Sequence, residues 1–164
     1  MNMLVTIDSE VKAYIKKIMG QLHKWLVSGK ISKLIVAITS KDTGEVVERW
    51  QFDVQVLSGT VSAAESGSSE SAKEPDHSKP QEEIQKEVQA IIRQITASVT
   101  FLPVLEGRCT FNVLVYADGD VQAPVEWVDS DAKTIKNAEQ VQLRSFSTDK
   151  HKIDTLVAYS LGDA

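Results

Sequence analysis

The sequence predicts an α/β protein of the α+β type, in which amphipathic helices pack on antiparallel strands. Between Gln81 and Pro103, apolar residues recur at spacings of three, four and seven, the pattern of a helix with one buried stripe. The segments from Lys33 to Val56 and from Gln140 to Tyr159 each contain two strand-like runs around a polar turn, which indicates two antiparallel hairpins. The predicted helical stripe consists of Ile84, Val88, Ile91, Ile92, Ile95 and Val99.

Composition and charge limit the possible partners. The chain has 164 residues, 42% of them hydrophobic and 25% charged, which is ordinary for one globular domain. A net charge of −5 provides no basic field to attract nucleic acid or anionic lipid. The single cysteine excludes an intrachain disulfide, and the sequence contains neither a signal peptide nor a long apolar run. We therefore expect a soluble intracellular protein without nucleic-acid or membrane partners.

A first amphipathic helix is predicted from Ser9 to about Gly29. Asp8 can cap its start with the side-chain carboxylate, and Gly29 is suited to end it. Trp25 is expected in the core. The predicted apolar face consists of Val11, Ile15, Ile18, Met19, Leu22, Trp25 and Leu26.

Strand patterns surround the central helix. Residues 33–39 read as a buried strand, 41–44 as a turn with Gly44 at positive φ, and 46–56 as its alternating hairpin partner. Residues 109–117 predict a strand, and 121–137 an irregular segment with a short strand at 125–128. The C-terminal hairpin is predicted from strands at 140–147 and 152–159.

The segment 58–80 is predicted to be a flexible loop inside the domain. It is rich in Ser, Gly, Glu and Pro and has almost no large apolar side chains. Such a composition cannot bury enough surface to offset the entropy of ordering.

The C-terminal end of the central helix carries an unusual mixture of side chains. Arg93 and Gln94 stand near Phe101, where a solvated helix end more often carries Lys and Glu. The pattern alone leaves two interpretations open. Either Phe101 is core and Arg93 is solvated, or this end of the helix meets another protein.

The sequence contains no recognisable catalytic or cofactor motif. It has no glycine-rich phosphate loop, no metal-ligand cluster and no nucleophile elbow, so we expect no cofactor, no metal and no enzyme activity. A thiol hydrolase using Cys109, His151 and Asp118 is a weak alternative, since nothing in the pattern brings these residues together. The features present favour a binding module in which an extended peptide adds a strand to the sheet.

Several stretches resemble a known family. GEVVERWQFDV at 44–54, IIRQITASVTFLP at 91–103, CTFNVLVYAD at 109–118 and EQVQLRSFSTDKHKIDTLVAY at 139–159 are similar to the mitotic-arrest-deficient HORMA-domain family of the spindle assembly checkpoint, its fungal members in particular. The resemblance implies three helices on a mainly antiparallel sheet. It also implies a non-catalytic checkpoint adaptor of the nucleus, kinetochore and cytoplasm, with open and closed states and a mobile C-terminal safety belt.

The resemblance further implies which residues bind partners. A peptide from a coiled-coil kinetochore receptor, or from the activator of the anaphase-promoting complex, would pair with an edge strand comprising Thr110, Phe111, Asn112, Val113, Leu114, Val115 and Tyr116. The segment 121–164 would close over that peptide as the safety belt, with Trp127, Val141, Leu143, Phe146, Ile153, Val157 and Tyr159. A second copy in the other state would contact Arg93, Gln94 and Phe101.

One departure from the family pattern affects the expected stability. Family members begin with a segment that includes a long core helix, and the similarity here starts after it. We therefore expect a single, N-terminally shortened HORMA domain over 1–164, poorly soluble on its own, with the apolar stripe of the central helix partly exposed. Another HORMA adaptor, of DNA repair or meiosis, is the nearest alternative function.

Overall fold

In the part of the chain that the structure describes, two α-helices and a six-stranded antiparallel sheet form the fold. The computed structural model describes residues 5–57 and 79–161, so most of the loop predicted at 58–80 and the last residues of the predicted safety belt lie outside the described residues. The elements are α1 Ser9–Val27, β1 Ile31–Ser40, β2 Val46–Val56, α2 Gln81–Ala97, β3 Cys109–Ala117, β4 Glu139–Gln142, β5 Phe146–Ser147 and β6 His151–Tyr159, with a 3-10 turn at Ser98–Thr100.

The strands lie in the order β3-β1-β2-β6-β4, and β5 also pairs with β6. Both predicted hairpins form. β1 pairs antiparallel with β2, Gly44 adopts a φ of 75° in the turn between them, and β6 pairs antiparallel with β4 and β5. The sequence patterns did not predict how the two hairpins pair with each other. β6 joins β2 along nine residue pairs, from Glu48↔Tyr159 to Val56↔His151. The C-terminal strands therefore extend the sheet at the edge opposite β3.

The strand predicted over 140–147 is interrupted, which corrects the prediction of one continuous strand. Gln142 opposes Leu156 and Phe146 opposes Ile153, so three residues, 143–145, face only two, 154 and 155. An extra residue on one strand of a pair produces a bulge and leaves backbone groups turned away from the ladder. Leu143 still donates its N–H to the Thr155 carbonyl, and its side chain is buried.

The strand predicted at 125–128 is also wrong. The backbone N–H of Trp127 donates to the carbonyl of Pro124 at 2.9 Å, which closes a turn. Val125 and Val128 are exposed and contribute no strand pairing. Isolated β-branched residues were the only signal for this strand, and a proline beside them favours a turn.

Both helices cover the same face of the sheet. Residues that are paired across neighbouring strands lie on the same face of the sheet. Ile38 pairs with both Phe111 and Glu48, and Glu48 pairs with Tyr159, so these side chains share one face. Tyr14 of α1 makes an edge contact with Phe111, at 5.8 Å between ring centroids. Phe101, just beyond α2, packs against Tyr159 at 6.0 Å. The opposite face carries Arg49.

α1 is anchored mainly by its C-terminal half. Asp8 caps the helix as predicted, accepting from the backbone N–H groups of Glu10 and Val11. Leu22 and Trp25 form a buried cluster with Ile31. The predicted apolar face is only partly buried, because Val11, Ile15 and Met19 remain exposed. No helix among the described residues is long and apolar enough to cross a bilayer.

α2 ends earlier than predicted, at Ala97 and not at Pro103. The Ser98 hydroxyl is buried and donates to the Ile95 carbonyl at 2.6 Å, and the chain tightens into a 3-10 turn there. Val99 is consequently 76% exposed and does not belong to the buried stripe. Of that stripe, Ile91 is buried, whereas Ile84, Val88, Ile92 and Ile95 are half-buried, so the stripe is partly exposed as expected.

Candidate functional site

β3 forms an edge of the sheet with one side open. It pairs with β1 along its whole length, from Ser40↔Cys109 to Ile31↔Ala117, and among the described residues no strand pairs with its other side. The seven predicted peptide-contacting residues, Thr110 to Tyr116, lie together on this edge. An edge strand presents a row of unpaired N–H and C=O groups, which is a template for an added strand.

The two faces beside this edge carry different side chains. On the helical face, Phe111 is 43% exposed and contacts Tyr14 of α1. On the other face, the Lys33 ammonium lies 5.3 Å from the centre of the Tyr116 ring. A cation over an aromatic face is attracted by the ring quadrupole. An added strand would thus meet exposed aromatic side chains on both faces of the sheet.

The chain that leaves β3 is first anchored to α1 and to the start of β1. Trp127 packs edge-on against Trp25, at 5.0 Å between ring centroids and an interplanar angle of 72°. Two ion pairs flank this contact, Lys30 Nζ to Asp120 Oδ2 and Lys17 Nζ to Glu126 Oε1, both 2.7 Å long. The start of the predicted safety belt, up to Trp127, is therefore attached to the helical side.

The chain between β3 and β4, residues 118–138, reaches the other side of the sheet after Trp127. Arg49 Nε donates to the Ala132 carbonyl at 3.3 Å, and Nη1 of the same side chain donates to Gln51 Oε1 at 2.7 Å. Arg49 pairs with Ala37 and Ala158, which places it on the face away from the helices. The segment 118–138 thus runs from the β3 edge past α1, contacts the opposite face at Arg49, and enters β4 at the other edge.

The remaining predicted safety-belt residues lie in the C-terminal strands and in the bulge between β4 and β5. Val157 and Tyr159 of β6 are buried, as is Leu143 in the bulge, while the other members are half-buried. Those other members are Val141 of β4, Phe146 of β5 and Ile153 of β6. The structure therefore divides the predicted set between an anchor on α1 and a packed hairpin beside β2.

The predicted self-association residues occupy three different environments. Arg93 is exposed and makes no ion pair with a described residue. Gln94 is half-buried, and its Oε1 accepts the backbone N–H of Arg144 at 2.7 Å. Phe101 packs on Tyr159 but keeps 38% of its surface exposed. Arg93 and Phe101 remain accessible at this end of α2, whereas the Gln94 carboxamide is engaged within the chain.

The residues of the thiol alternative do not meet. Cys109 pairs with Ser40 at one end of the sheet, and His151 pairs with Val56 at the other, with its Nε2 atom 3.2 Å from the Leu26 carbonyl oxygen. Within the described ranges there is also no group of three His, Cys, Asp or Glu side chains placed to hold a metal ion.

Sequence reasoning missed the contacts that fix the C-terminal segment. They are the pairs Lys17–Glu126, Lys30–Asp120 and Arg49–Ala132, and a cluster of Lys79, Glu87 and Ser147. Each set joins a residue of the C-terminal segment to a partner at least sixty positions earlier in the chain, so no periodicity or local motif reveals it.

The comparisons agree with this architecture. A sequence profile described as the HORMA domain matches residues 1–151. The chain belongs to the HORMA-domain family. It is 56% identical over 159 residues to the mitotic spindle checkpoint component mad2 of Schizosaccharomyces pombe, a match that covers 97% of this chain and 74% of that protein.

Solved HORMA structures share the fold. A chain in the crystal structure of the mitotic checkpoint complex is 54% identical, with a TM-score of 0.83, and the match covers 98% of this chain and 79% of that one. HTP-2 of C. elegans, bound to the HIM-3 closure motif, is only 12% identical. Its TM-score of 0.68, over 96% of this chain and 73% of that one, nevertheless reports the same HORMA fold.

Acid is expected to loosen the segment 118–138 because its carboxylates hold it to Lys17 of α1 and to Lys30, just before β1. The hydrogen bond from Lys30 holds the pKa of Asp120 below its usual value, and the hydrogen bond from Lys17 does the same for the pKa of Glu126. A carboxyl whose pKa is depressed in the folded state contributes stability above its unfolded pKa and loses it as pH falls through its folded pKa. Hydrogen exchange, corrected for the intrinsic pH dependence, should therefore show less protection in this segment at about pH 3 than at pH 7.

The double variant Asp120→Asn with Glu126→Gln should already have the looser segment at neutral pH and should respond little to acid. Asp129→Asn is the matched control, since Asp129 is exposed in the same segment and makes no ion pair with a described residue. Equal protection in the parent and the double variant at neutral pH would contradict the assigned role of these ion pairs.

Proposed function

We propose that this chain is a spindle assembly checkpoint adaptor that binds an extended peptide along β3 and encloses it with the safety-belt segment 121–164. The observation that carries the proposal is the position of the C-terminal strands. Because β6 pairs with β2, the Thr110–Tyr116 edge is left for another strand. A catalytic role is not part of the proposal.

Strand addition explains how one edge would accept different peptides. Main-chain hydrogen bonds along β3 would supply affinity with little demand on sequence, and the aromatic side chains beside the edge would select apolar peptide residues. A segment fixed at Trp127 on one side and at Arg49 on the other would hinder release. Enclosure acts chiefly on the dissociation rate, the quantity that differs most among related complexes.

The named relatives support this proposal. The fission-yeast relative is called a mitotic spindle checkpoint component, and a chain of the mitotic checkpoint complex shares the fold at 54% identity. The same fold in HTP-2 holds a closure motif. We propose that the peptides come from a coiled-coil kinetochore receptor and from the activator of the anaphase-promoting complex. The adaptor would accordingly work in the nucleus, at kinetochores and in the cytoplasm.

The proposed switch requires a second position for the C-terminal hairpin. Two packings of similar free energy, separated by a large rearrangement, allow a partner to select one of them. A peptide that binds β3 would favour the arrangement described here. Copies in the two states would associate through the C-terminal end of α2, with Arg93, Gln94 and Phe101 as the contacts.

Peptide enclosure is tested by weakening the anchor of the segment without altering β3. We expect a fluorescent peptide with a basic residue, two hydrophobic residues and a following proline, the ligand pattern that the family resemblance implies, to bind and to protect β3 amides from exchange. Trp127→Ala removes the packing on Trp25 and should raise the dissociation rate roughly tenfold or more.

Val128→Ala is the control for this variant, since the Val128 side chain is 83% exposed. A scrambled peptide controls for non-specific binding. Absence of binding to the intended peptide would contradict the proposed function. Equal dissociation rates for Trp127→Ala and Val128→Ala would contradict enclosure while leaving strand addition intact.

Self-association through α2 should depend on Arg93. Because this guanidinium is exposed and unpaired among the described residues, Arg93→Ala should reduce dimerisation with little effect on folding or on peptide binding. Gel filtration with light scattering measures the effect, and Gln89→Ala, an exposed change on the same helix, is the control. Persistence of dimers in Arg93→Ala would rule out this surface.

A further inference from the structure

Two side chains of α2 bind the backbone of the C-terminal segment. Gln94 Oε1 accepts the N–H of Arg144 at 2.7 Å, and Glu87 Oε2 accepts the N–H of Ser147 at 3.0 Å. Both donors lie where the chain passes from the bulge into β5. Because every non-proline residue has a backbone N–H, these two hydrogen bonds depend on the position of the segment and not on the identity of its side chains.

The spacing of the two acceptors matches that of the two donors. Residues seven apart on a helix lie about 10.5 Å apart along its axis and on nearly the same face. Residues three apart in extended chain are about 10 Å apart. Glu87 and Gln94 can therefore satisfy Ser147 and Arg144 together, whereas a slip of one residue would displace both donors by about 3.3 Å.

The bulge explains why the Arg144 N–H is available. Residues 143–145 oppose only two residues of β6, and the ladder bond in this stretch is made by Leu143 to Thr155. The Arg144 N–H, which makes no ladder bond, donates instead to the Gln94 carboxamide oxygen, and it can do so only while the hairpin stays beside β2.

Lys79 reinforces the contact at Glu87. Its Nζ lies 2.7 Å from Glu87 Oε2 and donates to Ser147 Oγ at 3.0 Å, and its side chain is only 17% exposed. Its own backbone N–H donates to Asp149 Oδ1 in the turn before β6. The hydrogen bond from Lys79, followed by that from the Ser147 N–H, holds the pKa of the Glu87 carboxyl below its usual value.

We propose that Glu87 and Gln94 form a latch that reads the position of the C-terminal hairpin through its backbone and favours its pairing with β2. The part of this inference that concerns a second hairpin position rests on the proposed function. A hairpin that left β2 would release the Gln94 carboxamide beside Arg93. The surface proposed for self-association would then differ between the two states at that residue.

The latch is tested in the unliganded chain by amide hydrogen exchange with residue-level NMR detection. In the double variant Glu87→Ala with Gln94→Ala, exchange of the Arg144 and Ser147 amides should accelerate roughly tenfold for each hydrogen bond lost. The variants Glu87→Gln and Gln94→Glu keep an acceptor oxygen and should retain most of the protection. Glu83→Ala with Gln89→Ala is the matched control, since both side chains are exposed on α2 and bind no described residue of the hairpin.

Unchanged exchange at Arg144 and Ser147 in the double alanine variant would overturn the latch. Equal loss of protection in the variants that keep an acceptor would overturn it as well, because packing and not hydrogen bonding would then hold the segment. Alanine favours the helical conformation, and the conservative variants stay informative if the double variant unfolds. Peptide binding is a separate readout, so failure of the parent chain to bind peptide would contradict the proposed function and leave this result standing.

Discussion

The pairing of β2 with β6 is the interaction on which the rest of the structure depends. It runs for nine residue pairs and brings Val157 against Trp50 in the middle of the sheet, where Val157 is fully buried. With β6 in this place, β4 and β5 complete one edge and β3 remains as the other. The chain between β3 and β4 must then cross from one edge to the other, and its anchors at Trp127 and Arg49 follow from that route.

The same pairing contains both stabilising and unfavourable features. Thr155 of β6 is completely buried, and its hydroxyl oxygen has no hydrogen-bond partner among the described residues. Burial of an unsatisfied hydroxyl costs about 1–3 kcal/mol. The backbone ladder and the contacts of β5 with α2 oppose that cost.

Local features of the fold were predictable from the sequence. Asp8 caps α1, Gly44 takes positive φ in the first turn, and β3 has the bounds that alternation predicted, because each depends on neighbouring residues. The end of α2 was predicted too late, since the inward turn of Ser98 depends on a single hydroxyl.

The relation between the two hairpins was not predictable from periodicity. β2 pairs with residues about a hundred positions further along the chain, and alternation specifies a face but not a neighbouring strand. The bulge at 143–145 was not predictable for the same reason. It turns the Arg144 N–H toward Gln94, which is fifty positions away in the sequence. The family resemblance identified the residues of the candidate site, while the geometry separated them into an open edge, an anchored crossing and a packed hairpin.

The most direct test of this account is nuclear Overhauser spectroscopy of the unliganded chain, observing backbone protons of β6 against those of β2 and β3. We expect cross-strand contacts between Trp50 and Val157 and between Phe52 and Thr155, with none between β6 and residues 110–116 in the major species. Contacts of the C-terminal strands with Thr110–Tyr116 in the major species would contradict it, because the edge proposed for a peptide would then be occupied by the chain itself.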